Sequence, residues 1–225
     1  MREYNPEGSA LRRDQKEMLK VLVAFADICE KNDIRWWLCS GTLLGAARHK
    51  GFIPWDDDMD VTMYEEDYRK LEKVLTELVS EEYFYQCLKT DPDHVNIFGK
   101  FRKKKDPVLA TDPRSVYFKY QGVGLDVFYI EKSNRFGSHM AKFFYLNMIN
   151  PTQHIKKASV RHFANKVVQF INFNLLIPFC RLVGMINPKD QYRISLGAGF
   201  YKSCFYEKDI FPLSKMEFEG IEFPV

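Results

Sequence analysis

The stretch GFIPWDDDMDV, Gly51 to Val61, sets four aspartates (Asp56, Asp57, Asp58 and Asp60) into five positions behind an apolar Ile-Pro-Trp. Carboxylates crowded this way repel one another, which raises their pKa values or calls for a counter-cation. Within DDMDVTM the residues alternate, so a strand here carries Asp58 and Asp60 on one face and Met59, Val61 and Met63 on the other. One face belongs to a core and the other to chemistry.

Outward from that strand the pattern is mixed α and β. Upstream, apolar residues at Met18, Leu22, Phe25 and Cys29 mark an amphipathic helix from Leu11 to about Lys31. IRWWLCS reads as a short buried strand, Ser40-Gly41 as a turn, and TLLGAARHK as a helix ending at Gly51. Downstream, EEDYRKLEKVLTELVS is helical with acids in its first turn, and YFYQCLK and VNIFGKFRK are strands. Lys100 and Arg102 share one face of the latter, aiming two cations in one direction. DPVLATDPRS is loop, and GVGLDVFYI is a strand with Gly122, Gly124 and Asp126 on one face. The two missing side chains beside Asp126 leave room for a ligand or allow a close backbone approach.

At 225 residues, 46% hydrophobic and 15% aromatic, the chain has ample material for a core. Its five cysteines form no C-x-x-C pair, which points away from zinc and disulfide frameworks and towards a reducing, cytoplasmic setting. The N-terminus lacks the apolar run of a secretory signal.

A net charge of +3 conceals an asymmetry. From Lys132 to Arg193 there are ten Lys/Arg and one acid, Asp190, giving +9 and leaving −6 for the rest. This basic, helical segment suits an anionic surface. In HFANKVVQFINFNLLIPFCRLVGMI, Gln169, Asn172, Asn174, Pro178 and Arg181 interrupt the apolar run, so no spanning helix is expected; two readings stay open, peripheral attachment at the inner face of a membrane and helices packed on the sheet with their charges solvated. No nucleic-acid recognition motif accompanies the charge, and no nucleic acid is expected as partner.

A D-x-D alone is equally at home in a solvated turn or a loose calcium site. Its context adds weight. Asp58 and Asp60, joined by Asp126 from another strand, make an all-oxygen set suited to Mg²⁺ or Mn²⁺. One helix upstream, Ser40, Gly41 and Thr42 stand where a helix N-terminus could receive phosphate.

These residues carry a resemblance. SGTLLGAARHKGFIPWDDDMDV resembles the signature of the LicD family, phosphotransferases of the nucleotidyltransferase superfamily that include fukutin and fukutin-related protein. FGKFRKKKDP and FPLSKMEFEGIEFPV are similar to later family segments. The resemblance implies an α+β, nucleotidyltransferase-like mixed sheet flanked by helices. Residues 1–131 would be the catalytic core, 132–195 a basic helical segment, and 196–225 the C-terminal part of the family region, apparently truncated because the family's further Tyr/Leu/Gly/Asp-rich stretch does not follow. The implied reaction moves phosphocholine or a similar phospho-substituent from a CDP-linked donor such as CDP-choline to a sugar hydroxyl of a cell-surface or lipid-linked glycan. Asp58, Asp60 and Asp126 would hold the metal and serve catalysis, while Ser40, Gly41, Thr42, Arg48, Lys100 and Arg102 would bind substrate. Two other readings remain: a nucleotidyltransferase that releases pyrophosphate, and a non-catalytic membrane-docking module. Asp56 and Asp57 have no assigned role.

Overall fold

The computed structural model describes residues 4–107, 117–186, 190–196 and 203–225. The chain folds as α1 (Ala10–Lys31), β1 (Trp37–Leu38), α2 (Ser40–His49), β2 (Asp60–Thr62), α3 (Glu65–Glu77), β3 (Tyr83–Gln86), β4 (Gly99–Pro107), β5 (Gly122–Val127) and β6 (Ile130–Lys132). Then come α4 (Arg135–Phe144), α5 (Ala158–Ile171), α6 (Ile177–Met185), β7 (Gln191–Ile194), β8 (Phe205–Tyr206), α7 (Glu207–Ile210), β9 (Lys215–Phe218) and β10 (Ile221–Pro224).

The central sheet has the order β1-β2-β5-β4-β3. It is mixed: β2 and β5 run parallel and the other pairs are antiparallel. This is an α+β architecture, a mixed sheet flanked by helices. Ser9 caps α1, its hydroxyl accepting the Arg12 amide, and the helix lays Met18, Leu22, Phe25 and Cys29 on the sheet. Phe25 meets Phe101 there, with ring centroids 6.1 Å apart. Burying a side chain of this kind contributes roughly 1.5–3 kcal/mol. Phe101, Leu125, Val127 and Val61 line this covered face, so Asp60, Asp126 and Lys100 must lie on the other.

Several elements are shorter than the residue pattern suggests. The strand expected across IRWWLCS is two residues, β2 starts at Asp60 instead of Asp57, and β4 starts at Gly99 because Val95–Phe98 belong to the loop before it. Asp106 and Pro107, expected in loop, continue β4; the rest of that loop, 108–115, lies outside the described residues.

The glycines of β5 have a different use from a ligand cavity. A Cβ on Gly122 would strike the carbonyls of Lys103 and Lys105, and one on Gly124 would come within 2.8 Å of Arg102 Cβ. Their bareness admits the β4 backbone where its register slips.

β6 and β7 pair antiparallel, with Ile130 opposite Ile194 and Lys132 opposite Tyr192, so the helical segment leaves and re-enters the fold between adjacent strands. The backbone from Ala158 to Met185 is one continuous helix of 28 residues, long and apolar enough by length and composition to cross a membrane, and the polar residues that break its apolar run do not break the helix. Two π-helical turns, Tyr145–Ile149 and Asn172–Leu176, absorb local irregularity in the segment.

Candidate active site

Register builds the site. Asp60 of β2 is the cross-strand partner of Asp126 of β5, and Asp126 is the partner of Lys100 of β4. Three neighbouring strands therefore present carboxylate, carboxylate and ammonium in one row. Lys100 Nζ donates to Asp126 Oδ1 as a part-buried ion pair. Asp58 stands two residues before Asp60 on the extended approach to β2, with Met59 buried between them.

The start of α2 fixes this row. The Cys39 amide donates to the Asp60 carbonyl at 3.2 Å, and the Asp60 amide donates to Thr42 Oγ1 at 2.8 Å. Thr42 is buried and its hydroxyl positions Asp60. Gly41 packs against Asp56: an added Cβ would lie 2.8 Å from Asp56 Oδ2. Ser40 is exposed at the helix start with φ +50°, a conformation L residues seldom hold outside functional or turn positions. Arg48 is exposed in the last turn of α2, where its charge complements the helix dipole.

Burial, and then mutual repulsion, raise the carboxyls of this cluster. Asp60 is pushed up to about 8, first by burial and then by Asp126 and Asp58, with Lys100 opposing. Asp58, exposed like Asp57 but hemmed in at its inner side, is pushed up to about 6 by desolvation and by Asp56, Asp126 and Asp57. Asp56 is also raised, chiefly by burial. Among the described residues, ligand oxygens of Asp56, Asp57 and Asp58 meet within 4.8 Å of one another. The strand trio Asp58, Asp60 and Asp126 is coupled by charge, with one Asp126 oxygen engaged by Lys100. An all-oxygen donor set of this kind fits a hard divalent cation.

Arg102 departs from the sequence expectation. It is buried, its Nη1 donates to the carbonyls of Tyr120 and Gly122, and its Nε has no partner among the described residues. In this conformation it braces the β4–β5 slip and does not reach out beside Lys100.

Other supports escaped the sequence reading. Gln15 Nε2 donates to the Asp56 carbonyl at 2.9 Å, and Glu219 accepts the Phe52 amide at 3.1 Å while paired with Arg12. Together they pin the segment from Phe52 to Asp56 that leads into the acidic run. Gln15 was findable: it continues the buried stripe of α1 three residues before Met18, an odd place for a polar side chain. Glu219, 167 residues from Phe52, left no such trace. His94 lies behind the row, its Nε2 2.7 Å from the Phe98 carbonyl, and burial pushes it down to about 4, leaving it neutral.

A profile of the LicD/FKTN/FKRP nucleotidyltransferase domain matches residues 33–170, taking in the whole row. The chain belongs to the LicD/FKTN/FKRP family. Among relatives of this family, the lipopolysaccharide cholinephosphotransferase LicD of Haemophilus influenzae is 45% identical over 73 residues, 32% of this chain and 28% of that protein. An uncharacterised protein of Rickettsia prowazekii is 44% identical over 71 residues, 28% of this chain and 27% of its own. The human ribitol 5-phosphate transferase FKRP is 47% identical over 47 residues, 21% of this chain and 10% of its own. The matched stretch thus spans less than a third of each of these relatives. Two of these relatives are named as transferases, one of phosphocholine with lipopolysaccharide in its name and the other of ribitol 5-phosphate.

Proposed function

We propose that this chain transfers phosphocholine, or a similar phospho-substituent, from a CDP-linked donor to a sugar hydroxyl of a cell-surface glycan or lipopolysaccharide, on a nucleotidyltransferase-like sheet. The observation that carries the reading is the Asp60–Asp126–Lys100 row across β2, β5 and β4, built within a stretch matched to this family. Asp58, Asp60 and Asp126 would hold Mg²⁺ or Mn²⁺, with Asp56 beside them. Such an ion supplies charge neutralisation for a diphosphate and stabilises the departing nucleoside monophosphate.

The chain's own residues would do the rest. Thr42 and the Cys39 amide hold β2 so that Asp60 faces the reacting phosphate. Lys100, paired with Asp126 from the neighbouring strand, would turn its ammonium to a phosphate oxygen of the bound donor. Asp126, relieved of Lys100, would accept the proton of the acceptor hydroxyl. Ser40 and Gly41 would present backbone amides at the start of α2, and Arg48 would reach the donor from that helix's far end.

Release of CMP from CDP-choline, dependent on Mg²⁺ and on a glycan acceptor for full rate, is the expected result. A second reading is favoured by the domain description itself: nucleotidyl transfer to the same class of acceptor. Pyrophosphate released from CTP, with no CMP from CDP-choline, would select it. Absence of any metal-dependent donor turnover would leave a non-catalytic docking module.

A further inference from the structure

The helix from Ala158 to Met185 is built inside out. Its polar stripe, Arg161, Asn165, Gln169 and Asn172, is buried against the rest of the protein. Arg161 pairs with Asp93 at 2.6 Å, Asn165 Nδ2 donates to the Pro92 carbonyl at 3.0 Å, and Gln169 Nε2 donates to the Val95 carbonyl at 3.2 Å. Its apolar stripe points away: Phe163, Val167, Phe170, Leu175, Phe179 and Leu182 are exposed, Phe163 and Phe170 by 69% and 67%. α4 adds exposed Phe136 and Phe143. A soluble helix does the reverse, and an exposed apolar surface this large marks a contact with something apolar.

Charge identifies the occupant. Arg135, Lys156, Lys157 and Lys166 are exposed on the same segment, beside Phe136, at the entry to α5 and between Phe163 and Phe170. Between Lys132 and Arg193 only Asp190 is acidic. Aromatic and aliphatic side chains interleaved with cations, with almost no anions, fit the headgroup and acyl boundary of an anionic bilayer, where lysine stems extend back to the phosphates. A protein partner's surface would present counter-charges matched one by one, and nothing in the pattern is so localised.

The buried stripe also sets the orientation. About 42 Å of helix could cross a bilayer by length. Crossing would tear Arg161, Asn165 and Gln169 from Asp93, Pro92 and Val95, or drag that loop's unpaired backbone into hydrocarbon. We infer that the α4–α6 segment is a monotopic anchor that lies in the plane of an anionic membrane, its Phe-rich face inserted and its polar stripe clamped to the catalytic core. Residues 91–98, on which α5 rests, lead directly into β4 and Lys100, and His94 of that loop lies within the electrostatic reach of Lys100 and Asp126. The anchor is thus joined through one short loop to the strand that carries Lys100. This deepens the proposed function by making the acceptor a lipid-anchored glycan, and only that last step rests on it.

The test uses the 225-residue chain and vesicles of phosphatidylcholine alone or mixed equally with phosphatidylglycerol, with no substrate present. The chain should float with the anionic vesicles at low ionic strength and bind neutral vesicles more weakly. The combined Phe163→Ser, Phe170→Ser, Leu175→Ser and Phe179→Ser variant should lose about tenfold or more of that affinity, as expected for removing four inserted apolar groups. CMP release from soluble CDP-choline, measured without vesicles, should be unchanged in the variant, so that loss of anchoring and loss of catalysis are read separately. Phe170→Trp, a change that keeps the fold, should blue-shift on vesicle addition and be quenched by shallow brominated lipid. Failure of the wild-type chain to bind anionic vesicles at low ionic strength overturns the inference. So does full binding by the fourfold variant, quenching of the Phe170→Trp probe by bilayer-centre rather than shallow brominated lipid as for a spanning helix, or a stable dimer that buries Phe170 and ignores vesicles.

Discussion

The central sheet and the α4–α6 segment obey opposite rules within one chain. In the sheet, apolar side chains such as Phe25, Phe101 and Leu125 are sealed and the charged row faces outward. In the helical segment the charged and amide side chains are sealed and the phenylalanines face outward. The segment's apolar cluster is small, Ala141, Ile177 and Cys180, joined by Leu196 from beyond β7. Burial is therefore not a property of residue type alone. It depends on the solvent each face is built to meet, and hydrogen bonds replace apolar contact as the joint where the outer medium is apolar.

That contrast can be broken from either side. The largest effect belongs to the row: Asp60→Asn should lower CMP release at least about a hundredfold, the loss typical when a preorganised electrostatic element is removed. The fold should survive and the metal-free variant should melt higher than wild type, since a repelling carboxylate is gone. Retained turnover would dismiss Asp60 as a ligand.

On the helical side, Arg161→Ala leaves buried Asp93 short of its main counter-charge and removes a guanidinium stacked 3.8 Å over Tyr117. Breaking such a buried pair costs about 3–5 kcal/mol. Limited proteolysis should then cut the α5 region while Mg²⁺ binding by the core persists. Simultaneous loss of both would mean that the two regions fold as one cooperative unit.

A third test uses pH. The folded-state values of Asp58 and Asp60, about 6 and about 8, lie above the ordinary carboxylate value of 3.8. A group raised on folding stabilises the native state most when protonated, so this contribution is present below about pH 4 and lost as pH climbs through 6 and 8. Without divalent cation, the melting temperature should fall across that window, and Mg²⁺ should restore it while releasing protons. A flat profile in the Asp60→Asn variant would assign the slope to that residue.

Lys100→Ala should weaken donor binding by about 1–3 kcal/mol, the range for a charge-assisted hydrogen bond, as read by calorimetric Kd. Arg102→Ala should instead lower stability and leave donor Kd unaltered, because its guanidinium serves the Tyr120 and Gly122 carbonyls. The smallest effect is expected for Asp57→Asn: Asp57 is exposed, and turnover should change severalfold at most.

Much of the site was legible because strand alternation and register are local rules. Placing Asp58 and Asp60 on one face, and Lys100 and Asp126 each on theirs, needed only the period of two. What juxtaposed them, the β2–β5 and β4–β5 registers, is set by long-range pairing that no single stretch encodes. Arg102 was misjudged because alternation gives a direction but not the length of path to solvent, and the slip of β4 past Gly122 closes that path. Gln169 and Asn172 break the apolar run of the long helix, and their spacing with Arg161 and Asn165 follows the helical period, which marks the buried side once packing is known.

The pairing of β6 with β7 carries a consequence for how such a molecule can be rebuilt. Two strands held side by side at Lys132 and Tyr192 form a port through which the intervening chain is spliced, and the sheet registers only that its ends are close. Loop-closure entropy grows slowly with length, about 0.6 kcal/mol per doubling, so the port tolerates cassettes of very different size. A short hairpin turn grafted across it, together with Asp93→Asn to discharge the carboxylate that Arg161 would abandon, would yield a miniature soluble relative. Conversely, the same port transplanted into another sheet would accept the inside-out helices as a portable foot.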